Sequence, residues 1–394
     1  MPTEAVIIDV VRTPSGRGKP GGELSDIHPA DLLAGVLAEL VHRNGVDPAL
    51  VDDVIGGCVT QAGEQAGNIT RTAVLSAGFP ESVPAVTIDR QCGSSQQAAA
   101  FAAQGVIAGA YDIAIACGVE SMSRAPMGSS AGGASLGGEL LHSRYPEGLV
   151  NQGVAAELIA ERWGIARDEL DAFAAESHRR AAQAAASGAF DGELVPVPTP
   201  DSGSVEADET IRPGTTAEKL ATLAPSFRTD ALATRFPQLD WRITPGNSSP
   251  LTDGASAALI MSADAAKRLG LTPRARFHSF AVAGSDPLFM LTGILPATRK
   301  LLDRSGVKLD DIQAYEVNEA FAPVPLLWQR EFGADAARLN PRGGAIALGH
   351  ALGSSGTRLL GTLLNELEAV GGRFGLQTMC EGGGTANATL IELL

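Results

Sequence analysis

Along most of this chain, short apolar runs alternate with longer stretches whose apolar positions recur every three or four residues. MPTEAVIIDVVRTP (1–14) enters an apolar run almost at once and reads as a strand. YDIAIACGVE (111–120), GASAALIMSA (254–263) and FGLQTMCEGG (374–383) are continuous apolar runs bounded by Gly and polar residues, the pattern of buried strands. LAELVHRNG (37–45) and TRKLLDRSG (298–306) are amphipathic and stop at Gly, as helices do. RDELDAFAAESHRRAAQAAASGAF (167–190) predicts one long helix, with acids in its first turn and Gly188 near its end. By contrast, 121–150 is rich in Gly, Ser and Met with little periodicity. The stretch 195–250 is rich in Pro, Asp and Thr and predicts mostly loop.

The pattern occurs twice. LAELVHRNGVDPALVDDVIGG (37–57) parallels TRKLLDRSGVKLDDIQAYE (298–316): a helix, a Gly-Val break, then an Asp-Asp pair leading into a strand. Gly93-Ser94-Ser95 parallels Gly353-Ser354-Ser355, each opening a helical stretch that leads to a Cys-containing strand. The offset stays between 258 and 263, which is a duplicated domain and not a short solenoid repeat. Each half alternates strands and helices and so forms an α/β unit. The expected organisation is an N-terminal half (1–120, with a returning strand in 250–270), an inserted loop domain (121–249) and a C-terminal half (271–394). Equivalent strand ends of two packed halves would face each other across a cleft.

Composition narrows the function. The 394 residues are 44% hydrophobic, as in an ordinary globular protein, with no apolar run long enough to span a bilayer. A net charge of −15 argues against nucleic acid as the main partner. The N-terminus lacks the pattern of a signal peptide. The four cysteines, Cys58, Cys92, Cys117 and Cys380, form no CxxC pair, which argues against a zinc site and a disulfide framework. The expected location is the reducing cytoplasm.

Two of those cysteines sit where chemistry is easy. Cys92 lies in TIDRQCGSSQQAAAFAAQ (87–104), where a strand-like run gives way to a helical one. A helix N-terminus carries partial positive charge, which favours thiolate. Cys380 precedes Gly382, Gly383 and Gly384 by way of Glu381, so a substrate can approach bare backbone N–H groups. His350 lies in GGAIALGHALGSSG (343–356), and Asn318 in YEVNEAFAP (315–323) just after a strand. Together they read as a nucleophilic thiol, an acid/base thiol, a His and an amide. Asn318-Glu319 also reads as a helix cap with a first-turn acid. Cys58 and Cys117 read as packed residues at strand ends, and His28, His42, His142, His178 and His278 as structural or exposed. Met122 and Met127 are candidates for an acyl pocket or for loop packing.

These segments resemble the thiolases, acyl-CoA C-acyltransferases of the Cys–His–Asn–Cys kind, over essentially the full chain. The matching stretches are VRTPSGRG (11–18), CGSSQQA (92–98), ACGVESMS (116–123), TTAEKLATLAPSF (215–227), GNSSPLTDGASAAL (246–259), NEAFA (318–322), GGAIALGH (343–350) and CEGGG (380–384). The resemblance implies a duplicated α/β core, each half a mixed sheet with helices, plus the loop domain. It implies Cys92 as the acylated nucleophile, His350 as its base and Cys380 as the second acid/base. Asn318 would hold the water of one oxyanion hole completed by His350. The backbone N–H groups of Cys92 and Gly382 would form the other. Arg212, Lys219 and Ser249 match positions that contact CoA. The substrates would be acyl-CoA and CoA, with no permanently bound cofactor, and the assembly a homodimer or homotetramer. The implied reaction is CoA-dependent cleavage of a 3-ketoacyl-CoA in the breakdown of fatty acids or bulky lipids. The alternatives are acetoacetyl-CoA synthesis, a ketoacyl synthase on the same fold, and a silent CoA- or lipid-binding homologue.

Some positions depart from the family pattern. Ala351 replaces the usual Pro after the His and predicts a looser turn. Arg342 stands for Asn, Ser95 and Pro250 for Gly, and 227–244 is longer than in compact members. None removes a proposed catalytic group.

Overall fold

The structure, a computed structural model, describes residues 3–200 and 203–394. Nine strands form the path of one mixed sheet. Its order is Ile312–Val317, Phe374–Glu381, Thr385–Leu393, Ala275–Gly284, Ala5–Arg12, Thr252–Ser262, Ile113–Ser121, Asp53–Gly57, Ala85–Ile88. In the first half, Ala5–Arg12 pairs antiparallel with Thr252–Ser262, which pairs antiparallel with Ile113–Ser121. Ile113–Ser121 then runs parallel to Asp53–Gly57, and that to Ala85–Ile88. The second half repeats the scheme with Ala275–Gly284, Thr385–Leu393, Phe374–Glu381 and Ile312–Val317. A parallel bridge from Tyr315 to Leu339 occupies the place of the last strand. The fold is thus a duplicated α/β core, and the halves join at Val6–Arg276 and Ile7–Ala275.

The helices Ser94–Ile107 and Ser355–Val370 are the buried middle of the molecule. Ala98, Ala99, Ala102 and Ala103 share a core with Leu360, Leu363, Leu364 and Leu367 and with strands of both halves. Small residues make this close approach possible. A Cβ on Gly356 would lie 2.0 Å from Gln96 N, and one on Gly118 would lie 2.1 Å from the Gly353 carbonyl oxygen. The first contact brings the two helix starts together, and the second seats the start of the later helix against strand Ile113–Ser121.

The middle stretch holds more regular structure than its composition suggests. The long helix is Arg167–Ala186, ending before Gly188 with its φ of 72°. Short helices occur at Glu139–Arg144, Ala217–Ala221 and Asp230–Arg235, where periodicity over one turn is too brief to read. Helices Gln152–Arg162 and Arg167–Ala186 share their core with the second half, including Val317, Leu327 and Trp328.

Candidate active site

Cys92 sits in a strained turn between strand Ala85–Ile88 and helix Ser94–Ile107. Gln91 has a φ of 50°, which costs a non-Gly residue roughly 1–2 kcal/mol. The turn is held by Ser94 Oγ, which donates to the Gln91 carbonyl (2.6 Å) and accepts from Arg90 N (2.9 Å). Cys92 is buried and packed with Met122, Leu352, Leu359 and Met379, and the nearby Gln152 amide acts to lower its thiol. Burial, with the Glu381 charge, pushes the thiol up to about 12. The thiolate expected from the helix start is therefore not the resting form: desolvation outweighs the dipole.

His350 is held from three sides. Its N–H donates to Thr252 Oγ1 (2.9 Å), Nδ1 lies 2.6 Å from Ser355 Oγ, and Nε2 lies 3.3 Å from Asn318 Nδ2. The Ser355 hydroxyl also donates to the Ala351 carbonyl at 2.8 Å. A hydroxyl has one hydrogen, so Ser355 Oγ accepts from His350 Nδ1–H, and the lone pair is left on Nε2. Burial, and next the Arg358 charge, lower the imidazole to about 3, so it is neutral at pH 7. Cys92 is thus a thiol and His350 a neutral imidazole, with the lone pair on Nε2. The turn at Ala351 is hydrogen-bonded. Its carbonyl accepts from Ser354 N, Ser355 N and both serine hydroxyls.

Asn318 leaves the end of strand Ile312–Val317, its N–H donating to the Thr378 carbonyl (3.1 Å), which sets it beside the strand of Cys380. The Asn318 side chain neighbours Cys380 and acts to lower its thiol, while its Oδ1 is buried without a hydrogen-bond partner. Asn318 does not cap a helix; the next one begins at Pro323 with Ala322 in the cap position. Cys380 is fully buried, and burial followed by the neighbouring Cys92 hold its thiol well above the usual range. After Glu381 the strand stops and the glycines begin. A Cβ on Gly382 would lie 2.8 Å from Gln91 Oε1, so this backbone abuts the Cys92 turn.

The three proposed CoA contacts lie apart. Ser249 is half-buried, and its N–H and Oγ both donate to the Ala320 carbonyl (3.0 and 3.2 Å), two residues from Asn318. Arg212 and Lys219 are exposed, and Lys219 Nζ donates to the Gly214 carbonyl at 2.8 Å. Met122 packs at Cys92, whereas Met127 is exposed. Cys58 and Cys117 are buried, with Cys117 in mid-strand, not at a strand end. Arg342 binds Glu366 and the carbonyls of Ala189 and Asn365, and Ser95 Oγ accepts from Thr357 N.

Sequence reading missed Gln152, Ser355 and Glu381. Gln152 follows the capping Asn151 on a helix about 60 residues from Cys92 in sequence, with no local signal. Ser355 was legible in principle, five residues after His350 in the same motif. Glu381 sits beside the turn, where a Cβ on Gly93 would lie 2.1 Å from its Oε1, and burial pushes it up to about 7. Among the described residues no cluster of His, Cys, Asp or Glu is placed to hold a metal, and no helix is long and apolar enough to cross a membrane.

Comparison with known proteins gives a consistent picture. The family model for the thiolase N-terminal domain matches residues 5–264, and that for the thiolase C-terminal domain matches 271–393. A steroid 3-ketoacyl-CoA thiolase from Mycobacterium tuberculosis is 48% identical over 401 residues, covering 100% of this chain and 95% of its own length. A 3-ketoacyl-CoA thiolase from Bacillus subtilis is 40% identical, with 99% of each chain covered. The crystal structure of the Bacillus anthracis acetyl-CoA acetyltransferase superposes with a TM-score of 0.88 at 37% identity, covering 100% of this chain and 99% of that one.

Proposed function

This chain belongs to the thiolase family, and we propose that it cleaves 3-ketoacyl-CoA with CoA through an acyl-enzyme on Cys92. The observation that carries the mechanism is a buried cluster in which Asn318 lies 3.3 Å from His350 Nε2 and neighbours Cys380, which in turn neighbours Cys92. As the keto carbon approaches, Cys92 Sγ attacks it and His350 Nε2 takes the thiol proton. The oxyanion meets the N–H groups of Cys92 and Gly382. Collapse restores the carbonyl and breaks the bond between the α and β carbons. The electron pair goes to the departing acetyl-CoA enolate, facing His350 Nε2–H and an Asn318-held water. Cys380 S–H protonates its carbon, giving acetyl-CoA. Cys380, now a thiolate, takes the proton of an incoming CoA thiol. That sulfur attacks the acyl-Cys92, which leaves as thiolate and recovers its proton from His350. Fixed donors suit both oxyanions because they need no reorganisation.

We assign CoA to the middle stretch, 121–249, and its edges, with Arg212, Lys219 and Ser249 as contacts. The first half with its returning strand then supplies the nucleophile, and 271–394 the His and second Cys. The degradative direction, on bulky acyl chains, is favoured by the long 227–244 segment. Its Phe236, Leu239 and Trp241 form an apolar cluster with Val154 and Leu158, against Phe227 and Phe289. The same direction is in the name of the steroid thiolase relative. A homodimer is favoured by the outer strand Ala85–Ile88, whose free edge and exposed Val86 suit pairing with a second copy. Four free thiols favour work in the cytoplasm.

The test is a panel of 3-ketoacyl-CoAs from acetoacetyl-CoA to sterol-derived chains, with intact-mass detection of the acyl-enzyme. Highest kcat/KM on bulky chains with the acyl group on Cys92 is the expected result. Preference for acetoacetyl-CoA would favour the biosynthetic alternative, and no turnover of any substrate the silent homologue.

A further inference from the structure

One helix, Arg167–Ala186, holds loops from four distant parts of the chain. Residues 167, 171, 174, 178 and 181 fall on one stripe at helical spacing, with Ser177 beside it. Arg167 Nη2 donates to the carbonyls of Leu220 (2.8 Å) and Leu223 (3.0 Å), gripping the short helix that carries Lys219. Arg167 Nε is itself fixed by Asp171 Oδ2 at 2.7 Å. Buried Asp171 accepts through Oδ1 from Asn247 Nδ2 (2.9 Å), two residues before Ser249. Ser177 Oγ donates to Glu319 Oε2 (2.6 Å) and accepts from Gly344 N (3.1 Å), so it ties the Asn318 loop to the stretch leading into His350. His178 Nδ1 accepts from Arg212 N at 3.1 Å. Each stretch with a proposed CoA contact, and both loops of the proposed His350–Asn318 oxyanion site, therefore meets the same rigid rod.

That arrangement bears on the reaction because positioning errors are costly: a 1 Å displacement of a reacting group can cost about a hundredfold in rate. His178 is the weakest-braced member of the set. It is buried, and burial together with the Arg212 charge lowers it to about 4, so at neutral pH its ring is uncharged and Nδ1 can accept. The next residue, Pro213, has no N–H, so the Arg212 amide is the donor through which this corner can be pinned to the helix.

We propose that this face of helix Arg167–Ala186 aligns the CoA-binding loops with the catalytic loops, and that His178 is a positioning residue latching the Arg212 loop. The proposal rests on the CoA reading above. The adjacent residue, Ser177, divides the work: His178 serves CoA binding, and Ser177, through Glu319, serves the oxyanion site.

The test uses the full chain. His178→Phe keeps the bulk and removes the acceptor, while His178→Gln offers an amide oxygen in its place. Amide hydrogen exchange of the peptide containing Arg212 reads the latch directly, and KM for CoA against kcat reads its consequence. His178→Phe is expected to speed exchange at Arg212 about tenfold or more and to raise KM for CoA about five- to tenfold, with kcat within about twofold. His178→Gln should restore both to within about twofold, and Ser177→Ala should lower kcat and leave KM for CoA unchanged. If His178→Phe does not fold by thermal melt, His178→Leu makes the same test with less bulk. Wild-type exchange or wild-type KM in the acceptor-less variant overturns the proposal, as does failure of His178→Gln to rescue. Arg212→Ala separates the two readings. If it leaves KM unchanged while His178→Phe raises it, the Arg212 contact fails and the latch stands.

Discussion

Cys117 and Cys380 occupy corresponding strands of the two halves, and both are fully buried. Their surroundings differ. Cys117 lies in the middle of a nine-residue strand, and burial alone raises its thiol. Cys380 lies one residue before its strand ends, with Asn318, Cys92 and Glu381 close by. Burial is thus common to an inert thiol and a candidate acid. Where the strand stops makes the difference: after Cys380 only Glu381 remains before the glycines, whereas four further strand residues follow Cys117.

The sharpest way to break this contrast is through the nucleophile both are measured against. Cys92→Ser should abolish acyl-enzyme formation and cut turnover by about a thousandfold or more, read by intact mass and steady-state rate. Stable acylation of Cys117 or Cys58 in its place would remove the assignment. The direct comparison comes next. Cys380→Ser should lower turnover by about a hundredfold or more while Cys92 can still be acylated. Cys117→Ala should keep kcat and lose about 1–2 kcal/mol of stability in urea titration. Equal effects of the two on kcat would end the distinction. His350→Ala and Asn318→Ala should each cost about a hundredfold in kcat, with CoA affinity by calorimetry near wild type.

Smaller effects sharpen the picture. Glu381 has its folded pKa raised, from an ordinary 4.5 to about 7. A carboxyl raised on folding contributes stability that is present below the unfolded value and lost as pH rises through the folded one. Glu381→Gln should therefore be the more stable protein at pH 8, by on the order of 2 kcal/mol, and the advantage should shrink as pH falls towards the unfolded value. A constant difference across pH 4.5–8 would show that the carboxyl is not buried as described. The smallest changes are at exposed charges. Arg212→Ala should raise KM for CoA by about threefold to tenfold, and Lys219→Ala, whose ammonium is already tied to Gly214, by less.

Much of this was legible without coordinates. The duplication could be read because a helix, an Asp-Asp pair and a strand recur at a near-constant offset, and each depends on local periodicity. Cys92, Asn318, His350 and Cys380 stood out because each lies at a strand end or in a glycine-rich turn. Local signals failed where a contact joins remote segments. Gln152 beside Cys92 and the loops held by Arg167–Ala186 have no short-range signature. The helix start favours thiolate at Cys92, yet burial raises the thiol. A helix start is visible in sequence, but the desolvation that outweighs it comes from Met122, Leu352, Leu359 and Met379, which converge on Cys92 from separate parts of the chain.

By itself, then, the sequence determined the strands, the helices, their duplication and the kinds of reactive group, since these follow from spacing along the chain. Only the tertiary structure decided which thiol is open to Asn318, which nitrogen of His350 carries the lone pair, and that the resting pair is uncharged. Those properties depend on contacts made by folding, near ones such as Ser355 on His350 and distant ones such as Asn318 beside Cys380, and on the water that packing excludes.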